Sequence, residues 1–190
     1  LLATSIPLGA TAASVQRVTA LLRPETSIVV DGSARTFYNV SGQEVHPILY
    51  NGTTYLPLRS IGELMDKNVD WNQSTLTVTI GGARTTADVT GTPDATAKES
   101  NVTAELRPDF TIVVDGTVRT FQDVNGNTVY PMLYNGSTYL PVRAVGELMG
   151  KTVSWNGSTQ TVTLSNGSLV SDADSFGNGS NVQQNGNQGS

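Results

Sequence analysis

The chain has no cysteine and a single histidine, His46, among its 190 residues. The first absence excludes disulfide scaffolds, iron–sulfur clusters and thiolate zinc sites, and the second excludes any centre that needs several imidazoles. Charge is scarce too. Asp, Glu, Lys and Arg supply 14% of the residues, where soluble domains average about 25%. The balance is acidic, with a formal net charge of -5, which argues against nucleic acid or an anionic membrane surface as partner, because phosphates are held by clustered Lys and Arg. No apolar run approaches the roughly 20 residues of a membrane-spanning helix. What the chain has in quantity is glycine, 19 residues, together with Thr, Ser and Asn, a composition of turns and strands.

The strongest internal signal is a duplication. Val18 to Ile80 aligns with Val102 to Leu164 at a constant offset of 84 residues, and about 40 of the roughly 63 positions are identical. A period this long indicates two tandem units rather than the turns of a solenoid. The organisation expected is therefore repeat one at 18–80, a Thr-, Ala- and Gly-rich linker at 81–101, repeat two at 102–164 and an Asn/Gly/Ser-rich tail at 165–190. Residues 1–17 read either as the latter half of a secretory signal, with Ala10-Thr11-Ala12 fitting the small-x-small cleavage rule, or as an extended arm that pairs as a strand with its own domain or a neighbour.

Within each copy the local signals agree. Ile28-Val29-Val30 is a strand, Asp31-Gly32 is a preferred type I′ hairpin dipeptide, and Arg35-Thr36-Phe37 is the return; Asp115-Gly116 repeats the device. A strand over Val45 to Tyr50 turns at Asn51-Gly52 and returns through Thr53 to Leu56. Pro57 suits a first helical position, and Leu58, Ile61, Leu64 and Met65 follow at helical spacing. Val69 and Trp71 open a last hairpin through Asn72-Gln73-Ser74, with Leu76, Val78 and Ile80 alternating behind it. The expected fold class is α+β: two tandem β-rich units, each a small, mainly antiparallel sheet packed on one short helix. Each copy is expected to fold alone.

The segments "YNGTTYLPLRSIGELMDKNVDWNQSTLTVTI" and "YNGSTYLPVRAVGELMGKTVSWNGSTQTVTL" resemble the N-terminal, or stalk, domain of copper amine oxidases. The resemblance covers both copies. It implies a small sheet wrapped around a helix, and a setting in secreted or surface-attached proteins of Gram-positive bacteria. It does not imply copper chemistry, which in that family belongs to a separate catalytic domain with three copper-binding histidines and a tyrosine-derived quinone. His46 aligns with Tyr130, so the duplicated fold does not require it.

The other candidates are weighed on chemistry. Arg59 and Glu63, and Arg143 and Glu147, stand four apart on the helix and fit an exposed ion pair. Glu63 and Asp66 would suit an acid/base pair for glycoside cleavage, but Gly150 replaces the aspartate in the second copy. Asp172, Asp174 and Gly177 imitate the start of a calcium loop, yet Gln183 stands where a bidentate glutamate is needed. Tyr55, Trp71, Tyr139 and Trp155 are the candidate contacts for a glycan or a partner, against the ordinary alternative that strand aromatics are core. The expected function is a non-catalytic, extracellular or cell-surface structural or interaction module pair, with no cofactor or metal. It would assemble with itself through strand addition or, alternatively, bind a cell-wall glycan.

Overall fold

In the computed structural model, which describes residues 13–166, four of the Asp-Gly and Asn-Gly dipeptides form the two-residue turns their chemistry favours. Asp31 and Gly32, Asn51 and Gly52, Asp115 and Gly116, and Asn135 and Gly136 all have positive φ, as a type I′ turn requires. They organise β1 (Gln16–Leu22), β2 (Ser27–Val30), β3 (Ser33–Arg35), β4 (Phe37–Tyr38), β5 (Glu44–Val45), β6 (Ile48–Tyr50) and β7 (Thr53–Pro57), ahead of helix α1 (Leu58–Met65), β8 (Lys67–Asn72) and β9 (Thr77–Ala83). The second copy repeats the series. It comprises β10 (Ser100–Leu106), β11 (Thr111–Val114), β12 (Thr117–Arg119), β13 (Phe121–Gln122), β14 (Thr128–Val129), β15 (Met132–Tyr134), β16 (Ser137–Pro141), α2 (Val142–Met149), β17 (Thr152–Asn156) and β18 (Thr161–Ser165).

Some local details depart from expectation. The strand expected over Val45 to Tyr50 is broken at His46-Pro47, where proline offers no N–H to a ladder. Pro57 lies at the end of β7 and caps α1 from outside with extended φ and ψ, so the helix begins at Leu58. Leu76 sits not in a strand but in the turn before β9, in the left-handed region at φ 52.

The larger correction concerns how the strands are shared. Two separate sheets, one per copy, are not what forms. Strands β1, β6 and β7 of the first copy and β10, β15 and β16 of the second close one barrel in the order β1-β10-β15-β16-β7-β6. Outside it, each last hairpin captures the first hairpin of the other copy. Strand β9 pairs in parallel with β11, giving the sheet β12-β11-β9-β8, and β18 pairs in parallel with β2, giving β17-β18-β2-β3. The fold is thus predominantly β, with a closed barrel and two exchanged sheets, rather than two α+β units.

The pairing has an internal symmetry. Thr19 faces Thr103 across β1 and β10, and Leu56 faces Leu140 across β7 and β16. In both cases the partners are equivalent positions of the two copies, as when a twofold axis passes between them.

Two apolar clusters result among the described residues. One is built from barrel strands alone: Val18, Ala20, Ile48, Tyr55, Ala104, Met132 and Tyr139. The larger joins Leu56, Ile61, Val78 and Ile80 of the first copy to Ile112, Leu140, Val145 and Leu164 of the second. Burial of a leucine, isoleucine or valine contributes roughly 1.5–3 kcal/mol, so the stabilisation from this larger cluster is common to both copies.

The segment expected as a bare surface linker is mostly exposed but anchored. Arg84 folds back against α1, and Thr92 N–H donates to the Gly42 carbonyl at 3.2 Å. Asp94 N–H donates to Glu44 Oε1 at 2.6 Å.

Candidate functional site

Exchange of the hairpins creates two related grooves, each with walls from both copies. In the first, the opening turn of α1 and Trp71 on β8 face the Arg107–Phe110 turn and the Asn135-Gly136 hairpin of the other copy, around a cavity of about 850 Å³. In the second, the opening turn of α2 and Trp155 on β17 face Arg23, Thr26 and the Asn51-Gly52 hairpin, around about 580 Å³. Neither helix has a side-chain cap or an acidic residue in its first turn.

The four aromatic candidates divide into two pairs. Tyr55 and Tyr139 are 2% and 3% exposed and belong to the barrel cluster. Burial pushes both hydroxyls well above the ordinary tyrosine range, so they stay neutral. They are core residues, not contacts for a glycan. Trp71 is 41% exposed and Trp155 half-buried, and each lines a groove.

Trp71 is held from two sides. Its ring lies 4.8 Å from that of Phe110, tilted by 58°, and its indole N–H donates to Gln73 Oε1 at 3.0 Å. The Arg107 guanidinium in turn sits 4.4 Å from the centre of the Phe110 ring, a cation–π contact. Asp109 accepts from Arg107 Nη2 at 2.7 Å and from Nε at 2.9 Å. That guanidinium holds the Asp109 carboxyl below its usual value. Arg107 and Phe110 were not among the expected site residues. The signal was present, because "RPDF" in the second copy stands against "RPET" in the first, but nothing local places that turn beside Trp71.

The ion pair expected between Arg59 and Glu63 is not formed. Glu63 turns inward, where its carboxylate accepts from Val89 N–H at 3.2 Å and lies 3.8 Å from Arg84 Nη2, with both side chains buried. Burial raises its pKa above the ordinary value. Arg59 is exposed on the groove rim, with no ion pair among the described residues. In the second copy Arg143 lends positive charge to Asp123, whose pKa is lowered first by the Asn127 backbone N–H, then by the N–H of Asn125 and by Arg143.

Glu63 and Asp66 do not converge on a shared bond. Asp66 is the exposed left-handed cap of α1, at φ 58, while Glu63 is beneath the Arg84 side chain. His46 is buried, with Nδ1 3.7 Å from Glu44 and Nε2 3.5 Å from Asp94. No cluster of His, Asp or Glu able to hold a metal occurs among the described residues. The residues of the calcium-like motif, Asp172, Asp174 and Gly177, lie outside the described residues. No described helix is long and apolar enough to cross a membrane.

No curated protein and no solved structure matches the chain. A family model does, the copper amine oxidase N-terminal domain, over residues 30–118 and again over 121–174. The first segment runs from the end of β2 through β12, so it includes the hairpin of the second copy that completes the sheet of the first. With both copies matched, and with the model being that of the N-terminal rather than the catalytic domain, the chain belongs to the copper amine oxidase N-terminal domain family.

Proposed function

We propose that this chain is a non-catalytic, extracellular or cell-surface interaction module whose two grooves hold a polysaccharide. The observation that carries the reading is the groove pair itself. Each is an open channel with a tryptophan on one wall and an Asn-Gly hairpin from the other copy on the opposite wall. Aromatic faces stack on the apolar faces of sugar rings, and polar rims meet their hydroxyls, the usual division of labour in such sites. The absence of turnover is supported by the family matched and by the separation of Glu63 from Asp66. A pull-down on insoluble cell-wall polysaccharide tests the proposal. Retention of the native chain and loss with Trp71→Ala/Trp155→Ala at an unchanged fold is the expected result. Equal passage of both proteins through the column would refute it.

A second reading, assembly of copies through strand addition, is favoured by the edges left open at β8 and β17. Strand β1 is already paired on both sides, with β6 and β10, so an added strand would dock on the outer sheets. Electron microscopy of concentrated protein distinguishes fibres from dispersed particles.

A further inference from the structure

The two grooves are equivalent by ancestry but not in chemistry. In the first, Phe110 props Trp71 and Gln73 fixes its N–H, whereas the second has Thr26 and Gly157 at those positions and so lacks both supports. The charges differ in the same way. Arg143 of the second groove shares that groove's lining with a carboxylate of its own copy, Asp123. Its counterpart in the first groove, Arg59, has Asn39 in that place, and the Asn39 side chain is neutral and engaged with Ser41 and Gln43 backbone N–H groups at 2.9 and 3.0 Å. The neighbouring Arg107 and Arg84 do not supply free charge, since Arg107 is matched by Asp109 and Glu105 and Arg84 by Glu63 and Asp88.

The first groove therefore combines an anchored, partly exposed indole with a rim guanidinium, Arg59, that has no ion pair among the described residues, beside a helix end that carries no acidic residue; the exposed Asp70 is the one acidic residue in its lining. A guanidinium fork matches a carboxylate in two parallel hydrogen bonds, and the positive end of a helix favours the same charge. We propose that the Trp71 groove is specific for a carboxylate-bearing sugar, a uronic-acid unit stacked on Trp71 with its carboxylate on Arg59, while the Trp155 groove takes neutral sugar. This rests on the polysaccharide reading above and adds the charge and the division between grooves.

The chain contains only two tryptophans, so Trp155→Phe leaves Trp71 as the sole indole reporter. The probes are a hexamer of galacturonic acid and the same hexamer with its carboxylates methyl-esterified. Titration of Trp155→Phe should show a Trp71 fluorescence change with the acid hexamer at an affinity about tenfold above that for the ester, which corresponds to about 1.4 kcal/mol. Arg59→Gln should erase the difference between acid and ester while leaving ester binding in place, and Arg143→Gln should preserve the difference. Equal affinity for acid and ester, with both binding, would overturn the charge assignment and leave the polysaccharide reading standing. If neither hexamer, nor a neutral hexamer of glucose or N-acetylglucosamine, alters the fluorescence of either tryptophan or binds by calorimetry, both readings fail together.

Discussion

Leu56 and Leu140, equivalent positions of the two copies, are direct cross-strand partners between β7 and β16, and neither has any solvent-exposed surface. Opposed side chains in an antiparallel pair approach within about 4.5–5.5 Å at Cβ. Each truncation to alanine should cost about 2–5 kcal/mol by denaturant unfolding. Because the two share one packing environment, the double variant should depart from additivity by at least about 0.5 kcal/mol. Strict additivity would mean that the two leucines pack independently.

The exchanged hairpins argue against the expectation that each copy folds alone, which separate expression tests. A single copy lacks a partner for the edge of β9 and half of the barrel, but a second molecule of the same copy offers both. Residues 13–99 expressed alone should form a symmetric homodimer that unfolds in a concentration-dependent transition. Light scattering at monomer mass with cooperative melting would show that the copies are autonomous.

Glycine in the middle of an eight-residue helix costs roughly 1 kcal/mol in propensity, yet both helices carry one, Gly62 and Gly146. A Cβ on Gly62 would lie 2.5 Å from Val69 Cγ2, and one on Gly146 would collide with Val153 Cγ2. The overlap outweighs the propensity gain. Gly146→Ala should lower stability by about 1–3 kcal/mol, and adding Val153→Ala should recover part of what the overlap costs.

Trp71→Ala should cost less than a core tryptophan, about 1–2 kcal/mol, because the side chain is partly exposed and its main losses are one aromatic contact and partial burial. Thermal unfolding measures this directly. A loss of 3–5 kcal/mol, the range for a fully buried aromatic, would make Trp71 a core residue rather than a groove wall.

Asp109 gives stability a defined dependence on pH. Its folded-state pKa lies below the unfolded value because Arg107 hydrogen-bonds the charged form. The contribution is therefore present above the unfolded pKa of about 3.9 and disappears as pH falls through the lower folded value. Asp109→Asn should lower stability at pH 7 by no more than about 1 kcal/mol, the scale of a solvent-accessible pair, and should leave the difference from the native chain near zero at pH 2. A difference that grows on acidification would contradict the sign.

Most of what depends on neighbours along the chain was legible in the sequence. The hairpin turns at Asp31-Gly32, Asn51-Gly52, Asp115-Gly116 and Asn135-Gly136, the alternation that buries Val78 and Ile80 and the short helix after Pro57 follow from residues within a few positions of one another, and the duplication follows from aligning the chain with itself. What it did not determine is which strand lies beside which. Ile28-Val29-Val30 and Ile112-Val113-Val114 are identical, so alternation shows that each has a buried face but cannot tell whether it pairs within its copy or across to the other. Tertiary structure decided for exchange, and that one choice closed the barrel, sank Tyr55 and Tyr139 into its core and carried Phe110 to Trp71. Backbone pairing is non-local, and the free energy that selects one of two equally patterned partners resides in the shared core rather than in either strand.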